Sequence, residues 1–176
     1  MTLLGKLAVM RRNGIVYPWR TFRAARKAGL GLALACALLD QETGGGRNVF
    51  GHDRDSDGHI IFHGQEGTVP VTREGYQEYK RFRDATGTVP PFGRMQGVGP
   101  MQLTWYAFQD EADKLGGCWR PGKNMRTGFQ IVKRNIDTAG SMRAGVRQYN
   151  GSGPEAEEYA DAVLAGREVW RERLSL

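Results

Sequence analysis

The stretch LALACALLDQETGGGRNVFGHD, which runs from Leu32 to Asp53, decides the fold of this 176-residue chain. Its first eight residues are almost free of polar side chains, which is typical of a helix that is buried on most sides. The sequence then changes abruptly to the polar residues at positions 40–43, and three glycines follow them. The pattern therefore predicts a core helix that carries polar side chains at its C-terminal end, just before a glycine-rich break.

Glu42 is the carboxyl group that this helix brings to the edge of the core. Removing an ionised carboxyl from water is unfavourable, so apolar neighbours should raise the pKa of Glu42 and keep it partly protonated at moderate pH. A general acid in glycoside hydrolysis needs such a carboxyl group. The alternative is an ordinary polar residue at a helix end that frays into solvent. The glycines at 44–46 either leave room for a sugar ring or simply end the helix.

Two further motifs follow in order. GVGPMQLTW spans Gly97–Trp105, and RQYNGSGPEAEEYADAV spans Arg147–Val163. Together with QETGGGRNVFGHD they resemble the soluble lytic transglycosylase and goose-type lysozyme group, and most closely the catalytic domains of peptidoglycan-degrading lysins from phages of actinobacteria. The resemblance covers Pro18 to Trp170. It implies a lysozyme-like fold and cleavage of the bond between N-acetylmuramic acid and N-acetylglucosamine.

The resemblance also implies roles for single residues. In that group a glutamate ends the buried helix, a G-x-M-Q-type turn lies under the substrate cleft, and a Tyr-Asn pair faces the sugar. Glu42 is then the general acid, and Tyr149 and Asn150 contact the substrate. Gln102 follows a Gly-Pro turn, from which its amide reaches N-acetyl or hydroxyl groups, and Met101 completes the substrate-binding set as a packing residue beneath it. The alternative is a core tyrosine at 149 followed by a helix C-cap.

The second catalytic carboxylate is the open part of this prediction. Goose-type lysozymes, which hydrolyse with inversion, use one or two aspartates near the Gly-Met-Gln turn, but Leu103 and Thr104 follow that turn here. Asp53 is the best-placed remaining acid and is the predicted second catalytic residue. A carboxylate base favours capture of the muramyl centre by water, whereas capture by the sugar's own 6-hydroxyl needs no second carboxylate. Hydrolysis is the expectation, and the 1,6-anhydro product is the alternative.

Helical periodicity extends over most of the chain and predicts a mainly α domain with a small β or loop lobe over Asn48–Phe62. The resemblance implies that this domain has a lysozyme-like (α+β) fold with a substrate cleft. Residues 1–17 are expected to form an N-terminal arm, with no regular structure over Met1–Asn13, and residues 18–176 form the catalytic domain. Capping and first-turn residues predict further helices that begin near Thr21, Thr72, Thr104, Ser141 and Pro154. Apolar residues at helical spacing form three stripes that are predicted to be buried in the core: Trp105, Phe108, Ala112 and Leu115; Met125, Phe129, Val132 and Ile136; and Ala156, Tyr159, Val163 and Trp170.

Composition sets the broad class of the protein. Hydrophobic residues make up 40% of the chain and aromatic residues 10%, which suits a globular domain. No apolar run reaches the roughly 18 residues of a membrane-spanning helix, and Leu3–Met10 is too short and too interrupted for a signal peptide. The expected location is the host cytoplasm before release to the cell wall, or the virion. Cys36 and Cys118 are expected to be buried thiols, with a disulfide between them as the alternative.

Basic residues dominate the first part of the chain. The net charge is +6, and no acidic residue precedes Asp40. The basic residues before it are Lys6, Arg11, Arg12, Arg20, Arg23, Arg26 and Lys27. Such a face attracts polyanions, of which nucleic acid and the anionic bacterial cell wall are two kinds. The resemblance implies peptidoglycan glycan strands as the substrate, so these strands and the cell wall are the predicted partners. Other virion proteins are further candidates, and nucleic acid is not expected. The alternative is an ordinary solvated helix face.

The segment after the core helix carries two incomplete patterns of metal ligands. The aspartates of a D-x-D-x-D-G calcium loop are Asp53, Asp55 and Asp57. The twelfth position of that loop is Gly64 where glutamate is required, and Glu66 comes two residues late. The histidines of the chain are His52, His59 and His63. The H-E-x-x-H helix of a zinc protease is absent, so no metal and no cofactor is predicted.

These patterns predict a peptidoglycan-cleaving glycosidase, either a muramidase or a lytic transglycosylase, of the kind that phages encode for wall lysis or penetration. The alternative from a different class is a non-catalytic wall-binding or virion structural module with a lysozyme-like fold. The set formed by Glu42, Gln102, Tyr149 and Asn150 discriminates between them, because a non-catalytic copy need not retain it.

Overall fold

A computed structural model describes residues 1–54, 57–62, 68–86 and 95–176 of the chain. Within these residues the chain forms eight helices and no extended strand. The helices are α1 (Leu3–Arg12), α2 (Pro18–Ala28), α3 (Leu32–Thr43), α4 (Arg73–Thr86), α5 (Tyr106–Lys114), α6 (Pro121–Ala139), α7 (Met142–Asn150) and α8 (Pro154–Arg173). The predicted mainly α class is confirmed. None of the helices described is long and apolar enough to cross a membrane.

Helix α3 is the most deeply buried element. All of its residues from 33 to 39 are buried, as their apolar sequence predicts. Gly44 follows the helix with a φ of 59°, a left-handed conformation that glycine adopts without steric strain. The helix therefore ends where the glycine run begins, and Glu42 lies in its last turn.

Helix α8 packs along α3 and fixes the polar end of that helix. The predicted buried stripe of α8 consists of Ala156, Tyr159, Val163 and Trp170, and all four residues are buried. The indole nitrogen of Trp170 donates a 2.6 Å hydrogen bond to Asp40 Oδ2. This contact joins the last turns of α8 to the last turns of α3.

Three helices begin at the predicted residues. At the start of α4, Thr72 Oγ1 accepts a 3.0 Å hydrogen bond from Gly75 N. At the start of α7, Ser141 Oγ accepts a 3.2 Å hydrogen bond from Ala144 N. Helix α8 begins at Pro154, a favourable residue for a first helical turn. These starts were predictable because a cap depends only on residues a few positions apart.

Two helices begin elsewhere than predicted. Helix α2 begins at Pro18 instead of Thr21, and Thr21 is buried, with its hydroxyl donating to Met125 Sδ at 3.4 Å. Helix α5 begins at Tyr106, while the hydroxyl of Thr104 donates to a backbone carbonyl before it. In both cases the threonine makes a contact other than a helix cap.

The prediction that Met1–Asn13 lacks regular structure is wrong, because α1 occupies most of this segment. Met10 is the buried residue of α1, and Ile15 after the helix is buried as well. Val16 N then donates a 2.9 Å hydrogen bond to Gly45 O, next to the end of α3. A helix that buries so little of its surface shows almost no apolar period, which is why the sequence did not indicate it.

The region between α3 and α4 is irregular in its described residues. Antiparallel bridges pair Val49 with Pro70, Phe50 with Val98, and Arg54 with Ile60. Each bridge is isolated, so the lobe predicted over Asn48–Phe62 has no strand of several residues in the part that the structure describes. Phe50 and Val98 are both fully buried, and they join this region to the helical core.

Both cysteines are free and buried, so the expected pair of buried thiols is confirmed. Burial raises the pKa of the Cys36 thiol, and it raises the pKa of the Cys118 thiol to about 12. Neither group is a reactive thiolate at neutral pH.

The segment Met95–Leu103 runs through the interior without being helical, and residues 95–101 are all buried. Buried backbone N–H and C=O groups need partners inside the protein. Asn124 of α6 supplies two of them, because its Oδ1 accepts a 2.9 Å bond from Met101 N and its Nδ2 donates a 2.7 Å bond to Val98 O. One side chain therefore holds the middle of this segment.

Gln109 of α5 holds the two ends of the same segment. Its Nε2 donates to Leu103 O at 2.7 Å and to Gln96 O at 2.9 Å. Its Oε1 accepts a 2.8 Å bond from Arg83, a buried guanidinium of α4 that also forms a 2.9 Å ion pair with Asp110. The buried charge is thus paired, as a charge in the interior must be.

Asn124→Ala should lower the free energy of unfolding by about 2–4 kcal/mol, because it leaves a buried N–H and a buried C=O of the segment without their partners. Chemical denaturation followed by circular dichroism measures this. The matched control is Asn135→Ala on the same helix, a less buried residue for which we expect a change below about 1 kcal/mol. Equal losses in the two variants would show that the segment does not depend on Asn124.

Candidate active site

A cleft of about 500 Å³ opens where the end of α3 meets the Met95–Leu103 segment. Five of the six predicted site residues line it: Glu42, Asp53, Gln102, Tyr149 and Asn150. They come from three motifs that lie far apart in the sequence. The structure therefore brings the predicted residues together in one cleft, with Met101 as the exception.

Glu42 is half-buried at the edge of the cleft. Burial raises the pKa of its carboxyl group from an ordinary 4.5 to about 7. The hydroxyl of Tyr159 donates a hydrogen bond to Oε1, which favours the ionised form and offsets part of that rise. The predicted upward shift is confirmed, and both protonation states of Glu42 are populated near neutral pH.

Tyr159 is a site residue that the sequence reasoning placed in the core. It is buried on α8, and its hydrogen bond to Glu42 joins residues 117 positions apart. Burial and the neighbouring carboxylate raise the pKa of Tyr159, so the phenol remains a donor. Helical spacing identified it correctly as buried, but the spacing alone does not reveal where a hydroxyl group points.

Asp53 is half-buried, and a backbone amide fixes its carboxylate. Gly97 N donates a 2.7 Å hydrogen bond to Asp53 Oδ2. A Cβ atom on Gly51 would lie only 2.6 Å from the same oxygen, so a side chain at position 51 would displace the Asp53 carboxylate. The contact between the lobe and the Met95–Leu103 segment thus positions the second acid of the cleft.

Gln102 has a φ of 43°, which is uncommon for a residue with a side chain. Its Nε2 donates to Gly99 O at 2.9 Å and to Val49 O at 3.2 Å. Both N–H groups of the amide are therefore used within the protein, so the predicted contact of this amide with a sugar is left to its oxygen. Oε1 remains as the acceptor of this side chain, and Gln102 shapes the floor of the cleft.

Met101 lies beneath the cleft and not in its wall. It is fully buried, and a Cβ atom on Gly128 of α6 would lie 2.6 Å from Met101 Cβ. Met101 is therefore not a substrate-binding residue. Its side chain packs against α6, which agrees with the predicted packing role. Its carbonyl oxygen accepts a 2.6 Å hydrogen bond from Tyr149.

Tyr149 and Asn150 end α7 at the mouth of the cleft. Tyr149 is half-buried, and burial together with the nearby Glu42 charge raises its pKa well above the ordinary value. Asn150 is exposed. The tyrosine thus combines a structural hydrogen bond with a place in the wall, while the asparagine side chain is free to meet a ligand in solvent.

Five further residues of the described part of the chain line the cleft: Met95, Leu103, Thr104, Trp105 and Phe108. The helical spacing of Trp105 and Phe108 predicted core positions, but both are half-buried and line the cleft. Binding sites commonly combine such apolar and aromatic walls with a few polar groups. No spacing rule distinguishes a core stripe from the wall of a cleft, so this role was not predicted.

Among the described residues, no group of three or more histidine, cysteine, aspartate or glutamate side chains is arranged to hold a metal ion. Two residues of the incomplete metal patterns, Asp55 and His63, lie outside the described residues, as do Gly64 and Glu66.

Comparison of the chain with models of protein families, with curated proteins and with solved structures gave no match.

Glu42→Gln should raise the thermal stability of the protein at high pH and not at low pH. Below pH 4.5 the wild-type carboxyl is protonated whether the chain is folded or unfolded. As the pH rises through the window from 4.5 to about 7, the unfolded chain ionises first, and wild-type stability falls. The difference in melting temperature between variant and wild type should therefore grow across this window and level off above it.

The control for this measurement is Glu78→Gln, which changes an exposed carboxyl group on α4. It should lack the growing difference across the window. If the difference in melting temperature between Glu42→Gln and wild type also stays constant with pH, the raised pKa of Glu42 is contradicted.

Proposed function

We propose that this protein is a peptidoglycan-cleaving glycosidase that cuts the β-1,4 bond between N-acetylmuramic acid and N-acetylglucosamine, with Glu42 as general acid. One observation carries the proposal: a carboxyl group with a pKa of about 7 lies in an open cleft. A general acid works best when its pKa is near the operating pH. The resemblance of the motifs around Glu42, Gln102 and Tyr149 to wall-lysing enzymes supports the choice of substrate.

The proposed reaction starts with the protonated form of Glu42. Its proton moves to the glycosidic oxygen as the bond to C1 of muramic acid breaks, and positive charge develops on the sugar. Glu42 is left as a carboxylate, and the hydrogen bond from Tyr159 stabilises that form. Tyr159 is therefore a positioning residue that also limits how far the pKa of Glu42 rises.

Asp53 is the proposed base that activates water on the opposite face of the sugar. It lines the same cleft as Glu42, and Gly97 N fixes its carboxylate. Inverting glycosidases hold their two carboxyl groups roughly 6.5–9.5 Å apart, which leaves room for that water. In the alternative route Glu42, once ionised, takes the proton of the muramyl 6-hydroxyl, and a 1,6-anhydro product forms without Asp53.

The proposal includes a lysozyme-like arrangement, with the helical domain on one side of the cleft and the described residues of the 48–62 region on the other. It also includes the biological setting that the resemblance implies: a phage-encoded enzyme that acts on glycan strands of the bacterial cell wall during lysis or penetration.

Glu42→Gln should slow the clearing of purified peptidoglycan sacculi by about two orders of magnitude or more, the usual contribution of a general acid. Glutamine keeps the shape of the side chain but has no proton to donate. Glu78→Gln serves as the control and should clear sacculi at the wild-type rate. If Glu42→Gln clears them at a near-normal rate, Glu42 is not the acid; if the wild type clears nothing, the alternative of a non-catalytic wall-binding module gains support.

Asp53→Asn should lower the cleavage rate about 100-fold, because asparagine still accepts the bond from Gly97 N but is no base. Mass spectrometry of the wild-type products should show reducing N-acetylmuramic acid ends. Products with 1,6-anhydro ends, together with an active Asp53→Asn variant, would instead assign the protein as a lytic transglycosylase.

A further inference from the structure

A second cavity, of about 510 Å³, lies between α2 and the N-terminal end of α6. We call it the basic groove, because six basic side chains and no acidic ones line it. They are Arg20, Arg23 and Lys27 of α2, Arg120 just before α6, and Lys123 and Arg126 of α6. The basic groove shares no lining residue with the cleft around Glu42. It is therefore a separate feature of the surface.

The cations of the basic groove differ from several basic residues of α6 and α7 that pair with acidic neighbours. Arg143 pairs with Asp161, Arg134 with Glu111, and Lys133 with Asp137. Within the part of the chain that the structure describes, the groove cations form no ion pair, and the buried Nε of Arg126 has no hydrogen-bond partner. Like charges held together in this way repel each other, so the groove favours an anion as its occupant.

The backbone of α6 adds to this positive potential. The helix is 19 residues long and begins at Pro121, so its N-terminus points partial positive charge toward the groove. The stem of Arg20 lies against Gly122, where a Cβ atom would come 3.8 Å from Arg20 Cβ. Helices α2 and α6 thus bring their cations onto one surface, although almost 100 residues separate them in the sequence.

We propose that the basic groove binds the anionic polymer of the bacterial cell wall through successive phosphodiester groups. Four of the six cations are arginines, whose planar guanidinium groups bind phosphate oxygens in pairs. An open groove of this size accepts a segment of a chain. This inference rests on the proposed function, since a wall polymer is the polyanion that accompanies the glycan strands. The groove would hold the enzyme on the wall while the cleft acts on the glycan.

The groove fits such a polymer better than it fits nucleic acid. Sites for single-stranded nucleic acid combine cations with several aromatic platforms on which bases stack. The basic groove has one aromatic lining residue, Trp19, which is 50% exposed and stacks on Phe22 with ring centroids 5.8 Å apart. Recognition in the groove therefore depends on charge and not on bases.

The test measures binding of the Glu42→Gln protein, which leaves the wall intact, to purified bacterial sacculi. One sample of sacculi keeps its phosphodiester polymers, and a second has lost them by extraction with hydrofluoric acid. The α6 variant adds three substitutions to this protein: Arg120→Gln, Lys123→Gln and Arg126→Gln. It should bind the intact sacculi about tenfold or more weakly than its parent at low salt. Binding to the extracted sacculi should already be weak and should not change further.

A matched control carries Arg12→Gln, Arg81→Gln and Lys114→Gln, which lower the net charge equally at exposed positions outside the groove. It should bind intact sacculi within about twofold of its parent. An equal loss in the control would overturn the proposal and leave only an effect of net charge. The variant Arg20→Gln, Arg23→Gln, Lys27→Gln removes the α2 side of the groove and should repeat the loss if the α6 variant does not fold.

Two further measurements complete the test. A single-stranded DNA oligonucleotide with a matched number of phosphates should compete more weakly than the solubilised wall polymer; stronger competition would make the groove a nucleic-acid site and overturn the proposal. With wild-type Glu42, the α6 variant should cleave soluble glycan strands that lack the polymer at an unchanged rate. The binding experiments test the proposal for the groove, and the activity of the Glu42→Gln variant tests the proposed glycosidase. A negative result for one proposal is therefore distinguishable from a negative result for the other.

Discussion

The segment Met95–Leu103 passes through the interior without helical hydrogen bonds, so its buried backbone groups depend on partners from the rest of the chain. Five helices, α3 to α7, provide them. Thr43 of α3 donates to Pro100 O at 3.0 Å. One side chain from each of the other four helices contacts further groups of the segment: Tyr79, Gln109, Asn124 and Tyr149. The same segment forms the floor of the cleft. Satisfying a buried backbone and shaping the candidate active site are therefore one structural task.

The position of Glu42 is a compromise between stability and chemistry. Helix α3 needs apolar neighbours to fold as a buried helix, and those neighbours desolvate the carboxyl group in its last turn. Tyr159 provides one hydrogen bond to the ionised form, which reduces the free-energy cost of burying the carboxylate without removing it. A carboxyl group that was fully solvated would destabilise the fold less, but it would not hold a proton at neutral pH.

The surface charges of the molecule fall into two groups, those that pair with one another and those that line the basic groove. Several acidic and basic residues on α6, α7 and α8 pair with one another, whereas the cations of the basic groove line one cavity together. Paired surface charges contribute little to stability, so their main effect here is to leave one region of the surface strongly positive. That region lies apart from the cleft, which allows attachment and cleavage to use different residues.

The sequence by itself determined the features that depend on near neighbours: the buried helix before Gly44, the caps at Thr72 and Ser141, the stripe of α8, and the rise in the pKa of Glu42. It did not determine α1, which buries too little surface to show a period. Only the tertiary structure decided that Tyr159 donates to Glu42, that Gln102 turns its amide to the backbone, and that arginines of α2 and α6 share one groove. The physical reason is that periodicity specifies which face of a helix is buried, whereas the partner of a buried hydroxyl, amide or charge depends on how distant segments pack against each other.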